Sequence, residues 1–298
     1  MAIEANARMK KPSIFLFVLS LSLLGTCGPV RGDEQIDKLK AAADTGSPEA
    51  QFNLGRAYFN ALGVEQDYLK AAEFYRKAAE GGFGKAQHNL GMMYAEGRGL
   101  KKDEVEAVKW FRAAANQGIA LSQDKLGWML AHGKGSETNC PEAADWYEKA
   151  ANQGSEDAQL HLAQLCYFGG PGFPVDYPRA IKWLEKRATQ GEAWSQNALG
   201  YLYQTGQGVK QDFEKASALY QKAAEQGEPK AQANLGMLYW KGTGVPRDKV
   251  KGYFWLKVSA NTGEVTAKNY LLELGPALDE PTISEGDKLV GDFRAKKH

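Results

Sequence analysis

The sequence predicts an all-α protein, a superhelical solenoid of about six helical hairpins of 36 residues. Three observations carry this prediction. An Ala-Gln or Ser-Gln pair recurs at Ala50, Ala86, Ser122, Ala158, Ser195 and Ala231, with spacings of 36, 36, 36, 37 and 36 residues. Three residues after each Gln stands a leucine (Leu54, Leu90, Leu126, Leu162, Leu199, Leu235), and glycine follows it in five of six copies, Ala163 being the exception. Late in each copy an alanine (Ala79, Ala115, Ala151, Ala188, Ala224, Ala260) precedes a glycine by three residues (Gly82, Gly118, Gly154, Gly191, Gly227, Gly263). Copies held in phase over so long a stretch mean one unit stacked on itself, since a lone hairpin cannot bury its apolar stripe.

Residues 1–32 have the order of a secretory signal: a basic start with Arg8, Lys10 and Lys11, an apolar run from Ser13 to Leu24, then small residues and charge. The run has about 12 residues, where a spanning helix needs about 20. Cleavage before Asp33 is the expectation. Its rivals are lipidation at Cys27, as in a bacterial lipoprotein signal, and a retained anchor. Residues 33–49 read as a partial leading repeat, with 34–45 as its second helix. Six repeats follow over 50–266, and 267–298 form capping helices that carry Leu271, Leu274, Leu289, Val290 and Phe293.

Within a copy, Ala50, Leu54, Ala57 and Tyr58 share one face of a first helix. Gly55 lets the neighbouring helix come close. Loops such as EGRGLKKD, TGQGVKQD and KGTGVPRD follow, and their second glycine (Gly99, Gly208, Gly244) is expected to take the positive φ that ends a helix. The Val or Leu after it should tuck into the core. Asp67, Asp103, Asp176, Asp212, Asp248 and Asn139 then stand where a second helix needs an N-cap, worth about 1 kcal/mol each. The second helix carries Ala71, Phe74, Tyr75 and Ala78 at helical spacing.

These residues resemble the Sel-one-like repeat (SLR) family, a longer relative of the tetratricopeptide repeat. The carriers are Ala231-Gln232, Leu235-Gly236, Tyr239, Gly242, Gly244-Val245, Asp248 and Ala260, with matching positions in the other copies. The resemblance covers residues 36–275. Copy three departs with Leu130 and copy four with Cys166 where Tyr is the rule, and copy four has one extra residue in YFGGPGFPVD. The resemblance implies a right-handed superhelix that scaffolds protein–protein contacts, with no single reaction and no cofactor.

Counted from the first residue of the pair, positions 3, 7 and 10 point away from the core face of the first helix. In related solenoids that face lines the concave groove. The candidate partner-binding residues there are Phe52, Arg56, Phe59, His88, Met92, Asp124, Trp128, Tyr167, Tyr201, Met237 and Trp240. Half of the 18 residues at these positions are large apolar or aromatic, which a purely solvated face does not need. The competing reading is burial: the adjacent helix covers position 7, and the C-terminal cap covers Trp240.

Composition excludes other classes. The chain of 298 residues has 37 Lys and Arg against 36 Asp and Glu. Removing residues 1–32 takes four basic residues and one acidic residue away, leaving about −2, so a nucleic-acid partner is not expected. No integral span is expected after processing. No P-loop, HExxH or CxxC spacing is present, and the four histidines are scattered, so no metal site and no catalytic group is assigned. Outside the signal the cysteines are Cys140 and Cys166. An exported protein would permit a disulfide between them, closing a loop of about 26 residues. The leading function is a non-enzymatic scaffold or adaptor of the cell envelope or extracellular space, periplasmic or secreted, holding a protein or peptide. The resemblance also leaves room for a cell-wall or β-lactam-related hydrolase or binding protein. A lipid-anchored envelope component, resting on Cys27 alone, is the third possibility.

Overall fold

The computed structural model describes residues 31–295, so most of the expected signal (residues 1–30), and with it Cys27 and the rival expectation of lipidation there, lies outside the described residues. The described chain is an α-solenoid. A leading helix, α1 (Arg31–Asp44), precedes six hairpins: α2 (Pro48–Asn60) with α3 (Tyr68–Glu80), α4 (Gly84–Glu96) with α5 (Glu104–Asn116), α6 (Ala120–Ala131) with α7 (Cys140–Asn152), α8 (Glu156–Phe168) with α9 (Tyr177–Thr189), α10 (Ala193–Thr205) with α11 (Phe213–Glu225), and α12 (Pro229–Lys241) with α13 (Lys249–Asn261). Then come α14 (Val265–Leu274), a short 3-10 turn and α15 (Glu280–Ala295). Each first helix begins two residues before the Ala/Ser-Gln pair. Ser47, Ser155, Glu192 and Glu228 cap four of them, while Phe83 and Ile119 supply no side-chain cap.

Three contacts recur and set the architecture. The first lies inside the hairpin. The glycine after the conserved leucine faces a ring of the second helix so closely that a Cβ on Gly127 would sit 2.9 Å from the Tyr147 ring. Gly55 meets Tyr75, Gly91 meets Phe111 and Gly200 meets Tyr220 in the same way. Copy four has Ala163 instead, and by register its partner is the smaller Leu184; both are fully buried in one core cluster.

The second contact closes the loop. The N–H of each second-helix cap donates to the carbonyl of position 9: Asp67 to Tyr58, Asp103 to Tyr94, Asn139 to Leu130, Asp176 to Cys166, Asp212 to Tyr203 and Asp248 to Tyr239, all at 2.8–3.0 Å. The cap side chains accept from the first turn of the second helix, as expected. Those backbone N–H groups hold the Asp67 and Asp212 carboxyls below the usual range. Copy four takes its extra residue into a small bridge between Gly170 and Phe173, so the bond to Cys166 survives. The glycine assignment needs correcting. The helix-ending glycine is the first of the loop: Gly97, at φ 72°, donates to the Met93 carbonyl. The second, Gly99, is also left-handed, but it is pressed against the backbone at Tyr68 of the preceding hairpin. The residue after it, Leu100, Val209 or Val245, packs on the core, half-buried.

The third contact joins hairpins. The Gln of each pair sends its Nε2 back eight residues to an alanine carbonyl at the end of the previous second helix, at 3.1–3.3 Å: Gln51 to Ala43, Gln87 to Ala79, Gln123 to Ala115, Gln159 to Ala151, Gln196 to Ala188 and Gln232 to Ala224. Each of these carbonyls also accepts from the glycine N–H three residues on, at 3.0–3.1 Å, so the Gln amide takes the second lone pair. In three copies the amide oxygen accepts in turn from Gln117, Gln153 or Gln226. Gln159 and Gln232 lack that second bond, because Gln190 turns to Arg187 and the matching residue in copy six is Thr262. The bond from Gln51 to Ala43 makes α1 the second helix of a leading unit. At the other end Ala267 and Leu271 keep the frame, so α14 acts as a shortened first helix. Then α15 lies on α13, with Phe293 against Phe254 and Trp255.

Cys140 and Cys166 are both buried free thiols, so the expected disulfide is absent. The Cys140 sulfur packs on Gly170. Cys166 fills the core at the position usually held by Tyr. Burial pushes both thiols up, Cys166 to about 12.

Two predictions follow from this packing. Gly127→Ala overpacks the hairpin and should cost about 1–3 kcal/mol; adding Tyr147→Leu, which copies the Ala163–Leu184 pairing, should recover part of that loss in a double-mutant denaturation cycle. His88, whose Nδ1 lies 2.8 Å from Ser122 Oγ of the next copy, is pushed down to about 4 by burial and then by Lys125. The unfolded chain therefore binds the proton more readily, and stability should fall as pH drops from about 6.5 to about 4. His88→Gln should flatten that limb in urea titrations compared with the parent chain.

Candidate partner-binding site

Stacking puts the first helices side by side, and their outer positions form one wall. The structure sorts the eleven candidates on it into three groups. Trp128, Tyr201 and Arg56 are exposed, the two aromatics at 38% and 39%. Phe52, Phe59, His88, Met92 and Tyr167 are half-buried. Asp124, Met237 and Trp240 are buried.

The buried ones require correction. Asp124 is spent on stacking: its Oδ1 lies 2.7 Å from His161 Nδ1 of the next copy. Asn197 and Asn234 form the equivalent rung between copies five and six at 3.1 Å. Position 3 thus faces the neighbouring first helix, which also accounts for His88 against Ser122. Met237 packs with Ala267, Leu271 and Leu274, under the shortened α14. Trp240 has Lys249 over its ring at 5.5 Å. The cap covers position 7 of the last copy, while positions 7 of copies one, three and five stay open.

The strongest exposed feature lies across copies four and five. Tyr167 contacts Phe168, Trp194 and Tyr201, with ring centroids 4.9, 5.9 and 6.5 Å apart. Phe168 and Trp194 are also 5.9 Å apart, and Phe168 is 59% exposed. Trp128, two copies before Tyr201 at the same position, stacks on the exposed His132 at 4.4 Å. Four edge-to-face contacts, to Phe168, Tyr177, Trp194 and Tyr201, hold Tyr167 in place, so the cluster is a pre-formed surface. Sequence reasoning missed Phe168 and Trp194. The signal was there: Trp194 occupies a position that is charged in four other copies (Glu49, Lys85, Asp157, Lys230) and Leu121 in copy three.

A second feature lies between α2 and α4. Arg56, Phe59 and Met92 line a cavity of about 280 Å³ together with Asn60, Asn89, Met93, Glu96 and Arg98. Its floor is Tyr75, the ring that packs on Gly55. Burial pushes the Tyr75 hydroxyl up to about 12, while Asn89 and Arg56 pull it the other way. Tyr220 reaches the wall similarly, its hydroxyl donating to Gln204 Oε1 at 2.7 Å. Tyr75, Asn89 and Arg98 fall outside positions 3, 7 and 10: Tyr75 reaches the wall from the second helix, Asn89 stands at position 4 of α4, and Arg98 in the loop after it.

Among the described residues no group of three or more His, Cys, Asp or Glu could hold a metal ion. No described helix is long and apolar enough to cross a membrane.

The Sel1 repeat model matches six segments, residues 48–83, 84–119, 120–155, 156–192, 195–228 and 229–263. Among solved structures, c5321, a protective antigen of uropathogenic Escherichia coli strains with an SLR fold, is 32% identical, with 86% of this chain covered and a TM-score of 0.67. The chain spans 56% of that protein. A Sel1 repeat protein from Oxalobacter formigenes is 33% identical, covers 78% of this chain and 94% of its own length, and has a TM-score of 0.65. No curated protein matches. With six tandem matches over most of its length, and with the Gly, Asp and Gln contacts repeating in the same frame, the chain belongs to the Sel1 repeat family.

Proposed function

We propose that this protein is a non-enzymatic scaffold that holds a protein or peptide partner on the wall of its first helices. The observation that carries the reading is the aromatic surface at copies four and five. A solenoid can close its core without exposing Phe168 at 59% and Tyr201 at 39% beside Tyr167 and Trp194. Aromatic side chains offer large contact area for little lost rotamer freedom, which suits them to interfaces. Family membership supports the same reading, since these repeats commonly serve as interaction scaffolds. Export to the envelope or beyond is the accompanying proposal, supported by the basic, apolar, small-residue order of residues 1–32.

A peptide selected from a displayed random library on the immobilised protein provides the test. Trp128→Ala with Tyr201→Ala, and separately Phe168→Ala, should each weaken its binding at least about tenfold. Circular dichroism should be unchanged, because the three side chains are exposed. Full binding by both variants would exclude the wall.

A further inference from the structure

We propose that the cavity between α2 and α4 binds a carboxylate carried next to an apolar side chain. The proposal rests on the reading of the first-helix wall as the partner-binding face, and names what one part of that face takes.

Arg56 and Arg98 both line the cavity. Arg98 is already paired, its Nε 2.7 Å from Glu96 Oε2, and its guanidinium lies over the Phe59 ring at 5.9 Å. Arg56 is exposed and has no acidic partner among the described residues. One positive charge is therefore unspent. Two neutral groups able to donate line the same cavity, the Asn89 amide and the Tyr75 hydroxyl. A planar guanidinium with two neutral donors matches a planar monoanion, and a carboxylate can accept from the guanidinium fork through both oxygens. A doubly charged phosphate fits less well, because Glu96 lines the same cavity and would repel it.

Shape supplies the second half. Apart from Asn60, the remaining lining is apolar: Phe59, Met92 and Met93. Met side chains adapt to irregular apolar ligands. The cavity of about 280 Å³ is small, enough for one acidic group and one neighbouring side chain. The acid can come from a peptide C-terminus or from an Asp or Glu side chain, and the test separates these sources.

The measurement is fluorescence anisotropy with four labelled peptides on one Gly-Ser spacer. They end in Ala-Leu with a free acid, Ala-Leu amide, Glu-Leu amide, or phosphoserine-Leu amide. The free acid or the Glu peptide should bind at least about tenfold more tightly than Ala-Leu amide. Arg56→Gln should erase that preference, Tyr75→Phe should reduce it, and replacing Leu by Gly should weaken binding. Leu272→Ala, exposed on α14 and outside the wall, should leave it intact. Failure of both the free acid and the Glu peptide to bind more tightly than Ala-Leu amide on the parent chain, unchanged preference in Arg56→Gln, or tightest binding of the phosphopeptide would each overturn the proposal. The selected peptide at Trp128 and Tyr201 reads the wall independently, so failure of the cavity is distinguishable from failure of the wall.

Discussion

The close approach of the two helices in each hairpin is the constraint on which the rest depends. It exists because five first helices present a glycine where a ring or leucine of the second helix must lie, as Gly55 does to Tyr75 and Gly236 to Leu256. A methyl group there would push the helices apart, and the loop bond from Asp67 to the Tyr58 carbonyl would lose its geometry. Copy four confirms the volume argument from within the same chain: Ala163 adds a methyl group, and Leu184 removes most of a ring. Total volume is kept, and buried packing tolerates swaps that keep it.

That same contact leads to the candidate site. A ring lying flat on a glycine has its para position directed past the first helix. Tyr75 carries a hydroxyl there, beside Asn89 and Arg56, and Tyr220 carries one to Gln204. Tyr147 is buried with its ring against His161, Phe111 has no hydroxyl, and Leu184 and Leu256 have none. One structural position therefore decides, copy by copy, whether the wall receives a polar group. The repeats are alike in their core and unlike in what they offer a partner.

Between hairpins the joints are amides and not ion pairs. The Gln-to-alanine bond appears at all six junctions and fills the second acceptor site of a carbonyl that already takes the N–H of the terminal glycine. The ion pairs between second helices, Arg112 with Glu142 and Arg179 with Glu148, occur at two junctions and stand in partial contact with water. Exposed pairs contribute little, so salt should leave the stacking nearly untouched. Polar rungs at position 3, such as Asp124 with His161, add a junction-specific match. They favour one neighbour over another and help keep the copies in order.

The sequence alone determined what depends on local spacing. The hairpin count, the cap residues and the extra residue of copy four are all set by residues close in the chain, and a period of 36 residues displays them six times. Two readings needed the fold. The helix-ending role belongs to the first loop glycine because the second is claimed by the preceding hairpin, a contact across 31 residues. The Gln of the pair marked the repeat without disclosing its work, since its acceptor is a backbone carbonyl and any residue type supplies one. Exposure was the least legible property. Asp124 and Tyr201 both lie on outward-pointing positions of a first helix, yet one is sealed by the next copy and the other is open. Helical periodicity fixes the direction of a side chain relative to its own helix; how far the neighbouring helix extends along that direction is decided only when the hairpins stack.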